Sequence, residues 1–140
     1  MIWKEPIDLD QLNFLPPSMA NWMGIRFSDW TADSLSATMP VDERTRQPMG
    51  ILHGGASVVL AESLGSVAST LIIDTNKYTA VGLEINANHL RPVRSGIVTG
   101  VSRLIHQGSK THVWDIRISN DKGKLVCISR LTVAIIPAQS

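Results

Sequence analysis

The sequence predicts an α+β domain, a curved antiparallel sheet wrapped around one long buried helix, and three observations carry that expectation. The run Gly55 to Ile73 is apolar on nearly all sides, the pattern of a helix without a solvent face. Beyond it the apolar period changes to two, in segments separated by turn residues. The chain has 140 residues, enough for one domain (1–140) with a sizeable core and too few for two. A sheet closing on that helix buries both surfaces.

The elements follow in order. Ile7 to Leu15 reads as a short helix capped by Asp8 and stopped by Pro16-Pro17, and Ser18 to Met23 adds another turn. Ile25 to Trp30 and Leu35 to Pro40 read as paired strands around the turn Thr31–Ser34. Asp42 to Gly50 is a polar loop leading into the long helix. In that helix Ala61, Gly65 and Ala68 form a small-residue strip, beside a polar track of Glu62, Ser66, Ser69 and Thr70. Thr79, Val81, Leu83, Ile85, Ala87 and His89 are expected on the core-facing side of the next strand. Pro92 to Gly96 turns the chain into Ile97–Ile105. The strand carrying Trp114, Ile116 and Ile118 follows, then Leu125–Ile136 completes the meander. The exposed edge of the Thr79 strand favours pairing with a second copy.

Bulk properties exclude several classes. Hydrophobic residues make up 44% and charged residues 18%, a globular composition. A formal charge of +1 gives no electrostatic case for nucleic acid or a membrane surface as main partner. Cys127 stands alone, so no internal disulfide forms and a reducing compartment fits. No leader pattern or long uninterrupted apolar span is visible, and the sequence predicts a cytoplasmic domain. His53, His89, His106 and His112 lie on separate elements without ligand spacing, so no metal is expected.

Chemistry concentrates in Gly50–Ser63. Gly54 and Gly55 start the helix, where the first backbone N–H groups lack intrahelical partners and the helix dipole favours a developing oxyanion. Loss of one such donor costs roughly 3 kcal/mol of transition-state stabilisation. Glu62 is a carboxylate set into an apolar helix, a position that calls for a functional reason. It attacks a carbonyl directly or deprotonates a water, and the residues leave both open. Ser66 shares its face at i+4, orienting that carboxylate or bonding its own helix. His53 either bonds substrate or holds the turn. At about 1.5 Å per residue, Gly54 and Glu62 are roughly 12 Å apart along the helix, too far for one carbonyl to touch both. Either the substrate spans a bent loop or, the preferred reading, Glu62 and Ser66 face the His53 and Gly54 of another subunit.

The motif Gln47-Pro48-Met49-Gly50…His53-Gly54-Gly55…Glu62, followed by Val81-Gly82-Leu83-Glu84-Ile85-Asn86-Ala87-Asn88-His89, resembles the hotdog-fold acyl-CoA thioesterases over nearly the whole chain. It is most similar to the bacterial 1,4-dihydroxy-2-naphthoyl-CoA hydrolase group. The resemblance implies hydrolysis of an aromatic acyl-CoA at a dimer interface, with dimers pairing into tetramers. It implies no cofactor, since coenzyme A enters as part of the substrate. Gly54 N–H would then polarise the thioester, with the Gln47 amide as second contact. The nucleotide arm would meet Gly82, His89, Leu90, Arg91 and Pro92, and the turn His106-Gln107-Gly108-Ser109-Lys110-Thr111. Other hotdog chemistry, hydration or dehydration, is the enzymatic rival. A non-catalytic acyl-CoA-binding protein is the other, and Glu62 argues against it. Phe14, Met19 and Trp22, with the Ser69–Thr70 end of the helix, are expected to shape the acyl pocket, and Trp3, Trp22, Trp30 and Trp114 to anchor core or interface.

Overall fold

The structure, a computed structural model, describes residues 1–139. Two short helices, α1 (Leu9–Asn13) and α2 (Met19–Trp22), precede the strands β1 (Arg26–Trp30) and β2 (Ser34–Pro40). The long helix α3 (Gly54–Thr70) follows, then β3 (Tyr78–His89), β4 (Ile97–Gln107), β5 (Thr111–Ser119) and β6 (Leu125–Pro137). Each expected element is present. Helix α3 ends three residues before Ile73, yet its last turn continues as a tightened coil, with Ile72 and Ile73 N–H both donating to Ser69 O.

All six strands form one antiparallel sheet in the order β1-β2-β4-β5-β6-β3. The meander therefore runs β4-β5-β6, and β3 is not its first strand. The segment expected to turn β3 back into β4 instead crosses the sheet. Leu90 N–H donates to Val126 O at 2.8 Å, Leu52 N–H to Val93 O at 2.7 Å and Val41 N–H to Gly96 O at 2.8 Å. Those bonds satisfy the backbone of a crossing connection, leaving β3 to pair with β6 at the far edge.

A bulge between Gly82 and Glu84 also breaks the expected alternation of β3. Val81 and Leu83 point outward, 44% and 66% exposed, while Ala80, Gly82, Ile85 and Ala87 are half-buried. One extra residue thus exchanges the faces, and two large apolar side chains end on the open side of an edge strand.

The core lies between α3 and the concave sheet. Leu60, Ala61, Leu64 and Ala68 are fully buried against Leu35, Met39, Val98, Trp114, Ile116, Ile118 and Leu131. The small-residue strip does what its spacing implies: a Cβ on Gly65 would stand 2.5 Å from Leu131 Cδ2, so glycine lets the helix settle onto β6. The N-terminal segment closes the barrel end, with Trp3 stacked on Trp114 at 6.3 Å between ring centroids and donating Nε1–H to Thr31 O at 2.7 Å. Trp22, expected as a core or interface anchor, lies outside the core and is 74% exposed. No helix among the described residues is long and apolar enough to cross a membrane.

Candidate active site

The turn before α3 is held by its own backbone. Thr45, buried, donates Oγ1–H to Pro40 O at 2.8 Å, and His53 N–H donates to Thr45 O at 2.8 Å. Gln47 N–H donates to Ile51 O at 2.8 Å and accepts Gly50 N–H on its carbonyl at 2.9 Å. Gly50 closes this turn at φ +82°, a left-handed conformation that favours glycine. The Gln47 side-chain Oε1 accepts Met49 N–H. With its oxygen engaged, the carboxamide's N–H groups find no acceptor among the described residues.

His53 caps α3: its Nδ1 accepts Gly55 N–H at 2.8 Å. Through Nδ1 it holds the turn. The Gly55 N–H expected to serve an oxyanion is consumed by that cap, so the first-turn donors are not equivalent. Gly54 N–H finds no acceptor among the described residues and remains available. The imidazole of His89 lies directly over it: a Cβ on Gly54 would stand 2.7 Å from His89 Nε2. Glycine here is a matter of space. Gln47, Gly54, Ser57, His89, Leu90, Arg91 and Pro92 line one cleft of about 350 Å³. His89 keeps the face of Ile85 and Ala87, over the start of α3, and is exposed in this cleft at the end of its strand.

Glu62 opens onto a different cleft, also of about 350 Å³, with Ser63, Ser66 and Val67 from the same helix. Its outer wall is Leu12, Leu15 and Pro16, and Ile25 and Phe27 of the β1 region form the floor. Phe14, Met19 and Trp22 were expected here, yet they point to solvent at 90%, 66% and 74% exposure. The one-turn helix α1 sets Leu12 half-buried against the cleft, and Leu15, itself exposed, borders it from the surface. Glu62 is half-buried rather than enclosed. Its carboxylate rests on β3, where a Cβ on Gly82 would collide with Glu62 Oε2. Gly82, expected to meet the nucleotide arm, thereby makes room for the carboxylate.

The chain thus sorts its expected site residues into two groups. Gln47, Gly54 and His89–Pro92 share one cleft; Glu62, Ser66 and, from beneath, Gly82 share the other. His106–Thr111 joins neither. It is the β4–β5 hairpin tip, where Gly108 N–H donates to Thr111 O at 2.8 Å and Ser109 and Lys110 are exposed. Through the pairs His112–Val133 and Val133–Gly82, that tip lies at the Gly82 end of the sheet. No group of three His, Cys, Asp or Glu side chains able to hold a metal occurs among the described residues.

One polar cluster escaped sequence reasoning. Ser69 is fully buried, accepts Trp114 Nε1–H at 2.8 Å and pairs with His112 Nδ1 at 3.0 Å. With one donor and two lone pairs, the Ser69 hydroxyl accepts from Trp114 and pairs with His112 Nδ1 in either tautomer of the imidazole. Burial, with a smaller contribution from nearby His106, pushes the His112 pKa below the usual histidine value. Ser69 therefore braces the far end of α3 against β5 and does not line the Glu62 cleft. The alternation of His112 with Trp114 was the available signal, since both fall on the inward face of β5.

Comparison with known proteins agrees with this architecture. Residues 49–127 match the model of the thioesterase superfamily. The chain is 54% identical over 137 residues to the 1,4-dihydroxy-2-naphthoyl-CoA hydrolase of Escherichia coli, covering 97% of this chain and 100% of that protein. A mutant thioesterase of Pseudomonas aeruginosa superposes with TM-score 0.96 at 59% identity, over 98% of this chain and 99% of that one. A Staphylococcus aureus protein, solved as a glutamate-to-alanine mutant, superposes with TM-score 0.83 at 42% identity, over 86% of this chain and 99% of that one. The same protein, described as a thioesterase, was also solved as a glutamine-to-alanine mutant. Its two substituted positions are separated by the same interval as Gln47 and Glu62 here. The chain belongs to the thioesterase superfamily, with the hotdog fold. It is an acyl-CoA thioesterase, an enzyme that hydrolyses the bond between an acyl group and sulfur.

Proposed function

We propose that this thioesterase cleaves an aromatic acyl-CoA, with 1,4-dihydroxy-2-naphthoyl-CoA of menaquinone biosynthesis as leading substrate, at sites shared between two protomers. The carrying observation is the division of the site: the free Gly54 N–H and the Glu62 carboxylate open onto separate clefts of one chain. Set about 12 Å apart on α3, they cannot flank one thioester within a protomer. A second copy, paired along the β3 edge through Val81 and Leu83, brings Gln47 and Gly54 of one chain to face Glu62 of the other. The half-exposed Glu62 is then enclosed by that partner.

In this reading the thioester oxygen accepts from Gly54 N–H and the Gln47 amide, and the helix dipole favours the negative charge it gains. Glu62 either adds to the carbonyl carbon or takes a proton from the water that does. When Glu62 adds, the C–S bond breaks to leave an acyl–Glu62 anhydride that a water then hydrolyses. When water adds, the C–S bond breaks to give the acid directly. In both cases the coenzyme A thiolate leaves and takes up a proton. Metal and further cofactor have no role in this sequence. The nucleotide arm runs over His89–Pro92 of one chain and the Lys110 hairpin of the other. The apolar Leu12, Leu15 and Phe27 suit a flat acyl group, and the 54% identity to a naphthoyl-CoA hydrolase favours a bicyclic one.

Steady-state release of free coenzyme A, followed with a thiol reagent, tests the assignment. Glu62→Gln is expected to lower kcat on a hydroxynaphthoyl-CoA and on benzoyl-CoA by 10³-fold or more, on the order of 4 kcal/mol, with folding and coenzyme A binding retained. Turnover unchanged by the substitution overturns it.

A further inference from the structure

Helix α1 is too short to hold its own position, and no residue in it is fully buried. One side chain ties it down. Asn13 donates Nδ2–H to Phe27 O at 2.8 Å and accepts Phe27 N–H on Oδ1 at 2.8 Å. Phe27 sits on β1, an edge strand of the sheet, so these backbone groups face away from β2 and have no strand partner. A carboxamide carries a donor and an acceptor in the geometry of a peptide group, and asparagine here completes the ladder as one more strand residue would. The bond pair falls at a bulge between Phe27 and Asp29, where the strand would otherwise be least constrained.

The consequence lies in the Glu62 cleft. Its outer wall, Leu12, Leu15 and Pro16, belongs to the segment that Asn13 anchors, and Phe27 is part of its floor. Wall and floor meet at the Asn13–Phe27 pair, so this double bond fixes their spacing from α3.

We propose that Asn13 is a positioning residue for acyl selectivity: by clamping α1 to Phe27 it holds the cleft at the width of a flat ring. The inference rests on the reading above that this cleft receives the acyl group. Asn13 touches no reacting atom; it acts through Leu12, Leu15 and Phe27. A small acyl group such as acetyl does not reach the clamped wall and is indifferent to it.

The test is Asn13→Leu, which keeps the branching and heavy-atom count of the side chain and removes both bonds. Hydrogen exchange at the Phe27 amide is expected to accelerate by at least tenfold, a readout requiring no substrate. The ratio of kcat/KM for a hydroxynaphthoyl-CoA to that for acetyl-CoA is expected to fall about tenfold, mostly through KM. Should N13L not fold, Asn13→Asp, which keeps only the acceptor, is expected to lower the ratio about threefold. A ratio within twofold of wild type, or equal losses on both substrates, overturns the clamp. With E62Q inactive on both substrates, that result refutes the clamp alone. Wild-type turnover in E62Q refutes both readings, because the cleft then does not hold the reacting bond.

Discussion

Each of the groups assigned to the chemistry owes its availability to a neighbour. Gly54 keeps a free N–H because His53 spends its Nδ1 on Gly55, and Gln47 keeps a free amide because its oxygen holds Met49. Glu62 has room because position 82 lacks a side chain. A different residue, His112, ties stability to pH. Its pKa is lowered in the folded protein by burial, so between that value and the unfolded value near 6.5 the unfolded chain binds more protons. Its contribution is therefore fully present above about pH 6.5 and lost as pH falls through the lowered folded value. Urea unfolding at fixed protein concentration from pH 7.5 to 5 is expected to show this decline, and His112→Gln to flatten it. Parallel pH dependences for the two proteins would mean the imidazole does not carry the effect. At this scale the sequence named Gln47, Gly54 and Glu62 but not the accounting among them. Motif spacing marks donors; only coordinates tell that Gly55 N–H is already engaged.

The elements were legible where one interaction dominates and illegible where two distant segments compete. Helix α3 declares itself through apolar residues on every side, and Ala61, Gly65 and Ala68 predict the close approach that Leu131 makes over Gly65. The faces of β3 were legible from Ile85 onward and misread before it, because a bulge at Leu83 reverses an alternation that sequence alone continues through. Its pairing with β6 was hidden for a related reason: Pro92–Gly96 looks like a hairpin turn, and only the bonds of Leu90, Val93 and Gly96 to other segments make it a crossing. The β4–β5 hairpin lies where the expected boundaries put it, and its tip offers Lys110 exposed at the sheet end that holds Gly82. Lys110→Ala is expected to raise KM about three- to tenfold for a full acyl-CoA, the value of a partly screened contact of about 1 kcal/mol. The same substitution should leave KM for the pantetheine thioester of the same acid unchanged. Equal increases on both would place the lysine away from the nucleotide phosphates.

For the whole molecule, the division of the site between two clefts makes a prediction that a self-contained protomer does not. In a two-fold dimer with shared sites, each site takes Gln47 from one chain and Glu62 from its mate. Gln47→Ala is expected to cost about 10²-fold in kcat as the loss of one oxyanion donor, and E62Q at least as much. Co-refolded in equal amounts, the two inactive variants would form mixed dimers carrying both lesions in one site and none in the other. Random pairing makes half the dimers mixed, each with one intact site of two, so about a quarter of wild-type turnover should return. Were both groups drawn from the same chain, every site would carry a lesion and no activity would reappear on mixing. A charge at the β3 edge, Leu83→Glu, gives the complementary arm, since size-exclusion chromatography should then show monomer and the recovered turnover should vanish with the dimer. The arithmetic makes the two assemblies distinguishable from bulk kinetics alone, because it depends only on which chain supplies which group.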